Sequence, residues 1–257
     1  MTLIALLAAA AGVAGLAVGS FLNVCIHRLP RRESLAWPAS HCPHCQAPIR
    51  WRHNVPLLGY LVLGGRCADC RAPIPWRYPI VEAATGVLFA AHVPVFGPTG
   101  MCLVRIGFAA ALLVLFAIDL EHRILPNRIT MPGIIVGLIC SVWLPPGIES
   151  AILGALVGGG TLYLLGEGYY RLRGDEGLGM GDVKMLAMIG AFLSWKATLL
   201  TLVLSSFVGA LVGVAFIVSG RGGMKYALPF GTFLALGALA SSLAGDPIID
   251  WYASFYR

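Results

Sequence analysis

The sequence predicts an all-α membrane protein of about eight transmembrane helices, with one polar loop domain inserted after the first. Three observations lead there. Hydrophobic residues make up 58% of the chain and charged residues only 12%, about half the charged fraction of a soluble domain. The apolar residues are gathered into runs suited to a hydrocarbon layer roughly 30 Å thick. Lys and Arg outnumber Asp and Glu by 18 to 12, the bias of loops that face an anionic cytoplasmic leaflet. No basic helix or aromatic–basic surface is visible, so lipid is an expected partner and nucleic acid is not.

The first run covers 2–26 and is uncharged. It has no basic residues before it and is too long for the core of a signal peptide, so it reads as a retained helix. Gly15 and Gly19 stand four apart in it, which allows a second helix to pack closely. Residues 28–79 are the one sizeable polar segment, with eight Arg, several Pro and two CxxC pairs. Further apolar runs follow at 80–97, 103–120, 131–145, 148–166, 183–194, 197–219 and 227–245. Pro132 interrupts one of them and the run after Asp182 is short. No internal repeat is expected. The division that follows is a first helix (1–27), a loop domain (28–79) and a seven-helix membrane domain (80–257).

Charge orients this map. With 28–79 placed in the cytoplasm and the spans alternating, 15 Lys and Arg fall on the cytoplasmic side. Only Arg105, Lys196 and Arg257 fall outside. Both termini then face outward. Asp119 closes a helix running inward and Asp182 opens one running outward, so topology brings both acids to the cytoplasmic face.

Each acid has an ordinary reading, Asp119 as a solvated loop acid and Asp182 as a helix N-cap. Together they are less ordinary. Both abut apolar runs, and Asp182 follows Gly179-Met180-Gly181, where the backbone can approach closely. Carboxyls that meet at short range cannot both ionise. One then takes a proton from water while the other donates one to a carbonyl oxygen. Glu121, Glu167, Asp175 and Glu176 read as solvated loop acids, Glu82 as a first-turn acid, and His92 as a core histidine. Residues 177–181 lack the Lys-Ser/Thr ending of a phosphate cradle.

Cys42-Pro43-His44-Cys45 and Cys67-Ala68-Asp69-Cys70 form two knuckles with 21 residues between them. Two such knuckles complete a closed tetrahedral site for structural zinc. A pair of disulfides is the alternative, disfavoured in a reducing compartment. Arg50, Arg66 and Arg71 offset the negative charge of four thiolates around Zn²⁺. Cys25, Cys102 and Cys140 lie in or beside apolar runs and read as core residues.

With these residues in view, the chain resembles the bacterial type IV prepilin peptidases, bifunctional leader peptidases and N-methyltransferases. The likeness covers nearly the whole chain. It is carried by Phe21-Leu22-Asn23-Val24 with Arg28-Leu29-Pro30, both CxxC pairs, and Arg77-Tyr78-Pro79 with Val81-Glu82. It is carried further by Asp119 before Leu125-Pro126 and by Gly179-x-Gly181-Asp182, which also resembles the wider GxGD membrane aspartyl proteases. Asn127 and His53 depart from the family pattern, which often has Asp at both, and Asp119 remains the family-matching acid.

The resemblance implies that Asp119 and Asp182 are catalytic. It implies cleavage of basic leaders from prepilins and pseudopilins after a Gly, usually before Phe, at the cytoplasmic face of the bacterial inner membrane. Methylation of the new amine by S-adenosylmethionine follows. Glu121, Asp175 and Glu176 are candidate contacts for the leader. Rival readings are a peptidase without methyl transfer, a proton- or ion-coupled transporter, and an inactive zinc scaffold. A transporter calls for acids at mid-membrane and inverted repeats, and neither is seen in the sequence.

Overall fold

A computed structural model describes residues 2–175, 177–220 and 228–256. Glu176, Arg221, Lys225, Arg257 and the first residue of the 227–245 run lie outside the described residues. All regular structure among the described residues is helical, apart from two isolated β-bridges. Nine α-helices occur there: α1 Leu3–Arg28, α2 Leu58–Val62, α3 Arg77–Phe96, α4 Gly100–His122, α5 Asn127–Cys140, α6 Ile148–Arg173, α7 Met180–Leu193, α8 Trp195–Val218 and α9 Phe230–Ser254. Six of them (α1, α3, α4, α6, α8 and α9) are long and apolar enough to cross a membrane. The predicted run at 131–145 becomes α5 and the one at 183–194 becomes α7, each of 14 residues. That is about 21 Å of helix, short of a full hydrocarbon layer. The chain is an all-helical membrane protein; eight helices, α1 and α3 to α9, fall on the eight predicted runs, and six of the eight are of membrane-crossing length.

The chain forms two compact units, 1–114 and 115–257. In the first, α1 packs along α3 through the two expected glycines. A methyl added at Gly15 would lie 2.8 Å from the Gly86 Cα, and one at Gly19 2.7 Å from the Glu82 Cα. Only hydrogen fits there, and the close approach is what packs two helices where lipid supplies no hydrophobic drive. Asn23 Nδ2 donates to the Tyr78 carbonyl at 3.0 Å. The buried Arg28 donates to the carbonyls of Ser34 and Pro38 at 2.9 and 2.7 Å, tying the polar loop to the end of α1.

Glu82 departs from its first-turn reading. α3 begins at Arg77, so Glu82 lies in the second turn. It is buried and accepts the Leu57 N–H at 2.8 Å and the Ser20 hydroxyl. A buried carboxylate needs such donors. His92 is fully buried, and its Nδ1 lies 2.7 Å from the Leu88 carbonyl. Cys25 and Cys102 are buried as expected, and Cys140 is half-buried.

In the second unit α7 is the core. Met185, Leu186 and Met188 to Leu193 are all buried, packed by α5, α6, α8 and α9. Small polar residues pin these neighbours in place of hydrophobic drive. Ser141 donates to the Ala191 carbonyl at 3.2 Å, joining α5 to α7. Ser205 donates to the Phe233 carbonyl at 2.9 Å, joining α8 to α9.

Candidate functional site

Asp119 lies in the last turn of α4. The helix stops because Arg123 takes a left-handed conformation at φ 54°, and Pro126 excludes helix at Leu125 before α5 opens. Asp119 is 5% exposed. Its Oδ2 accepts two hydrogen bonds from Thr232, the backbone N–H at 2.7 Å and the hydroxyl at 3.0 Å. Thr232 is the third residue of α9, so its N–H is one of the donors a helix start leaves unpaired. Asp119 thus caps a helix distant in sequence.

Asp182 is half-buried and is the third residue of α7. Its carboxylate accepts the N–H of Gly179, at the N-cap. That is the reciprocal arm of a capping box. Gly179 is close because it lacks a side chain: an added methyl would be 3.4 Å from Asp182 Oδ2. Both carboxylates therefore sit at helix N-termini, whose dipoles offset part of the cost of burying an acid.

Leu125 joins the two halves. A methyl at Gly181 would meet the Leu125 Cβ at 3.0 Å, and a methyl at Gly231 would meet the Leu125 Cδ1 at 2.9 Å and Asp119 Oδ2 at 3.0 Å. One side chain thus contacts the starts of both α7 and α9. Lys184 Nζ donates to Asn127 Oδ1 at 3.0 Å, fastening α7 to the start of α5 beside the pair. An apolar cleft of about 420 Å³, lined by Leu165, Tyr169, Gly177 and Leu178, ends one residue before Gly179.

Glu121 faces His122 at 3.8 Å, Glu167 pairs with Arg171 at 2.7 Å, and Asp175 is exposed. Gly231 and Thr232 went unread in the sequence. The available signal was Pro229-Phe230-Gly231-Thr232, a Pro and a small residue where a helix begins.

The four knuckle sulfurs lie within 4.8 Å of one another. Cys42 and Cys70 are 3.8 Å apart, Cys45 and Cys67 3.9 Å. A tetrahedron of sulfurs about 2.3 Å from a central metal has edges of about 3.8 Å, so the cluster has the size of a Cys₄ metal site. It does not have the size of two disulfides. The Cys70 and Asp69 backbone N–H groups hold the Cys67 thiol at about 7. Against the pull of the Ala47 N–H, the other three thiols push the exposed Cys45 up to about 12. Four thiolates coexist there only around a cation.

The knuckles overturn the expectation of no internal repeat. Cys42-Pro43-His44-Cys45-Gln46-Ala47-Pro48-Ile49 and Cys67-Ala68-Asp69-Cys70-Arg71-Ala72-Pro73-Ile74 share C-x-x-C-x-Ala-Pro-Ile. They also share a fold. The first Cys N–H donates to the Ala carbonyl at 2.9 and 2.8 Å, and Gln46 and Arg71 take φ 59° and 60°.

Residues 13–96 match the Bacterial Peptidase A24 N-terminal domain, and residues 106–214 match the Type IV leader peptidase family. Curated relatives carry the name Prepilin leader peptidase/N-methyltransferase. That of Burkholderia pseudomallei (strain 1026b) is 39% identical, over 91% of this chain and 84% of its own. Those of Pseudomonas putida and Aeromonas hydrophila are each 38% identical, over 95% and 92% of this chain and 92% and 90% of theirs. No solved structure matches.

Proposed function

The chain belongs to the type IV leader peptidase family, and we propose that it removes the leader from type IV prepilins and pseudopilins and methylates the amine so exposed. What supports the cleavage step is that Asp119 lies at the start of α9 and Asp182 at the start of α7, with Leu125 against both starts. The ionised carboxyl takes a proton from water as its oxygen attacks the scissile carbonyl carbon. The protonated carboxyl donates to the carbonyl oxygen. The tetrahedral diol collapses when a proton passes to the leaving nitrogen, releasing the leader acid and the free amine. The scissile Gly eases unwinding of the substrate helix, and the cleft beside Gly179 takes an apolar substrate side chain.

Residues 28–79 act as a zinc-stapled loop domain between the first helix (1–27) and the membrane protease domain (80–257). Cys42, Cys45, Cys67 and Cys70 hold the zinc, which staples a segment with too small an apolar core of its own. S-adenosylmethionine supplies the methyl group. Incubating the protein with a membrane-inserted prepilin and isotope-labelled S-adenosylmethionine tests the whole reading. Mass spectrometry is expected to find the leader removed and a labelled methyl on the new N-terminus. An intact prepilin overturns the cleavage reading, and a cleaved product without label overturns the transfer reading.

Two further outcomes are expected. Purified protein carries about one zinc, the stoichiometry of four thiolates. Cys42→Ser or Cys67→Ser lowers zinc content and impairs methylation more than cleavage, checked by metal analysis beside both assays. For orientation, a reporter fused after Gly65 reads cytoplasmic and one after Pro146 reads outward, because the charge split of 15 to 3 runs that way. The reverse at either site removes the argument for a cytoplasmic active face.

A further inference from the structure

The polar loop carries an apolar helix face that nothing in its own unit covers. Leu58, Leu61 and Val62 of α2 are 60%, 70% and 80% exposed. They stand at i, i+3 and i+4 and so share one face, while Gly59 is buried against the His53 backbone.

The level of α2 is set by α3, a membrane-length helix. Trp76 immediately precedes α3, which puts it at a membrane–water boundary, and the Tyr60 ring of α2 packs on it with centroids 5.4 Å apart. Leu57, just before α2, donates its N–H to Glu82 at 2.8 Å. Glu82 lies five residues into α3, about 7.5 Å along its axis. A short helix tied by its start and its middle to that level of a spanning helix lies in the interfacial layer.

Charge identifies what covers the face. Residues 28–79 hold eight Arg against two acids, Glu33 and Asp69. Arg52 and Arg66 flank α2 and are exposed. Exposed Trp beside exposed Arg is the composition of a headgroup layer. We propose that α2 is an interfacial foot of the loop module. Leu58, Leu61 and Val62 enter the acyl boundary of the leaflet on that side, and Arg52 and Arg66 engage anionic lipid phosphates. The foot fixes the height of the Cys₄ module over the bilayer, and it is independent of the peptidase reading.

Photo-crosslinking of full-length protein tests this. p-Benzoylphenylalanine is placed at Leu61 or, separately, at Val62, both exposed, so that core packing is undisturbed. The protein is reconstituted in mixed phosphatidylcholine–phosphatidylglycerol liposomes, irradiated and weighed intact. Both positions are expected to give phospholipid adducts, with phosphatidylglycerol enriched about five-fold over its mole fraction, the factor of one surface cation. Absence of lipid adducts in protein with wild-type zinc content overturns the foot. So do adducts to a co-reconstituted prepilin in place of lipid, which make the face a protein dock. Adducts that track mole fraction overturn the anionic preference.

Discussion

Asp119→Asn and Asp182→Asn are each expected to lower prepilin cleavage by about 10⁴-fold or more, the scale of losing one member of a catalytic unit. Both proteins should insert normally. Asn is nearly isosteric with Asp, and its carbonyl oxygen can still accept both Thr232 donors that hold Asp119. What it cannot do is take up or share a proton. Removing an intramembrane charge also eases insertion. Since the two carboxyls act together, the double variant should be scarcely slower than either single one. Methylation of an already cleaved substrate should persist. Glu121→Gln and Asp175→Asn, outside the pair, should keep substantial cleavage. Near-wild-type cutting by either inserted single variant, measured by leader release from prepilin in membranes, rules out the aspartyl mechanism and returns the transporter or scaffold reading.

Gly231→Ala should cost about 10²-fold in kcat, the scale of displacing a reacting group by about 1 Å. The added methyl would stand 3.0 Å from Asp119 Oδ2 and 2.9 Å from Leu125 Cδ1. Leu125 can yield, because its end is flexible. Asp119 is held by Thr232 and yields only by leaving its position. Thr232→Val, which keeps the backbone donor and the shape, should cost about 10-fold, the value of one hydrogen bond to a charged acceptor. Thr232→Ser should restore most of the rate. Thr232 is thus a positioning residue, and these losses should fall on kcat with KM nearly unchanged. A matching rise in KM, or equal damage from Ser and Val, would show that the start of α9 binds substrate or only maintains the fold.

Membrane character, the order of eight apolar runs and the two acids were legible in the sequence because each is a local property. Hydrocarbon thickness demands long apolar runs, and a carboxylate beside one is costly enough to stand out. The four cysteines were legible too, because a knuckle is built from residues next to one another. The repeat they belong to was equally local. Its signal lies in the shared Ala-Pro-Ile after each knuckle, outside the Cys spacing that marks a metal site.

What holds the site together could not be read in the same way. Thr232 is 113 residues from the carboxylate it serves. Leu125 matters because it contacts the starts of two helices at once. Glu82 reads as a helix-start acid until the fold delivers the Leu57 N–H to it. Each depends on which helix ends meet, and the glycines and small polar residues that decide this leave little periodic trace in an apolar chain. The sequence by itself determined that two acids and four cysteines are present in a membrane protein of this class. The tertiary structure decided what holds the first acid, because only bringing the start of α9 to the end of α4 supplies the Thr232 donors that a buried carboxylate needs.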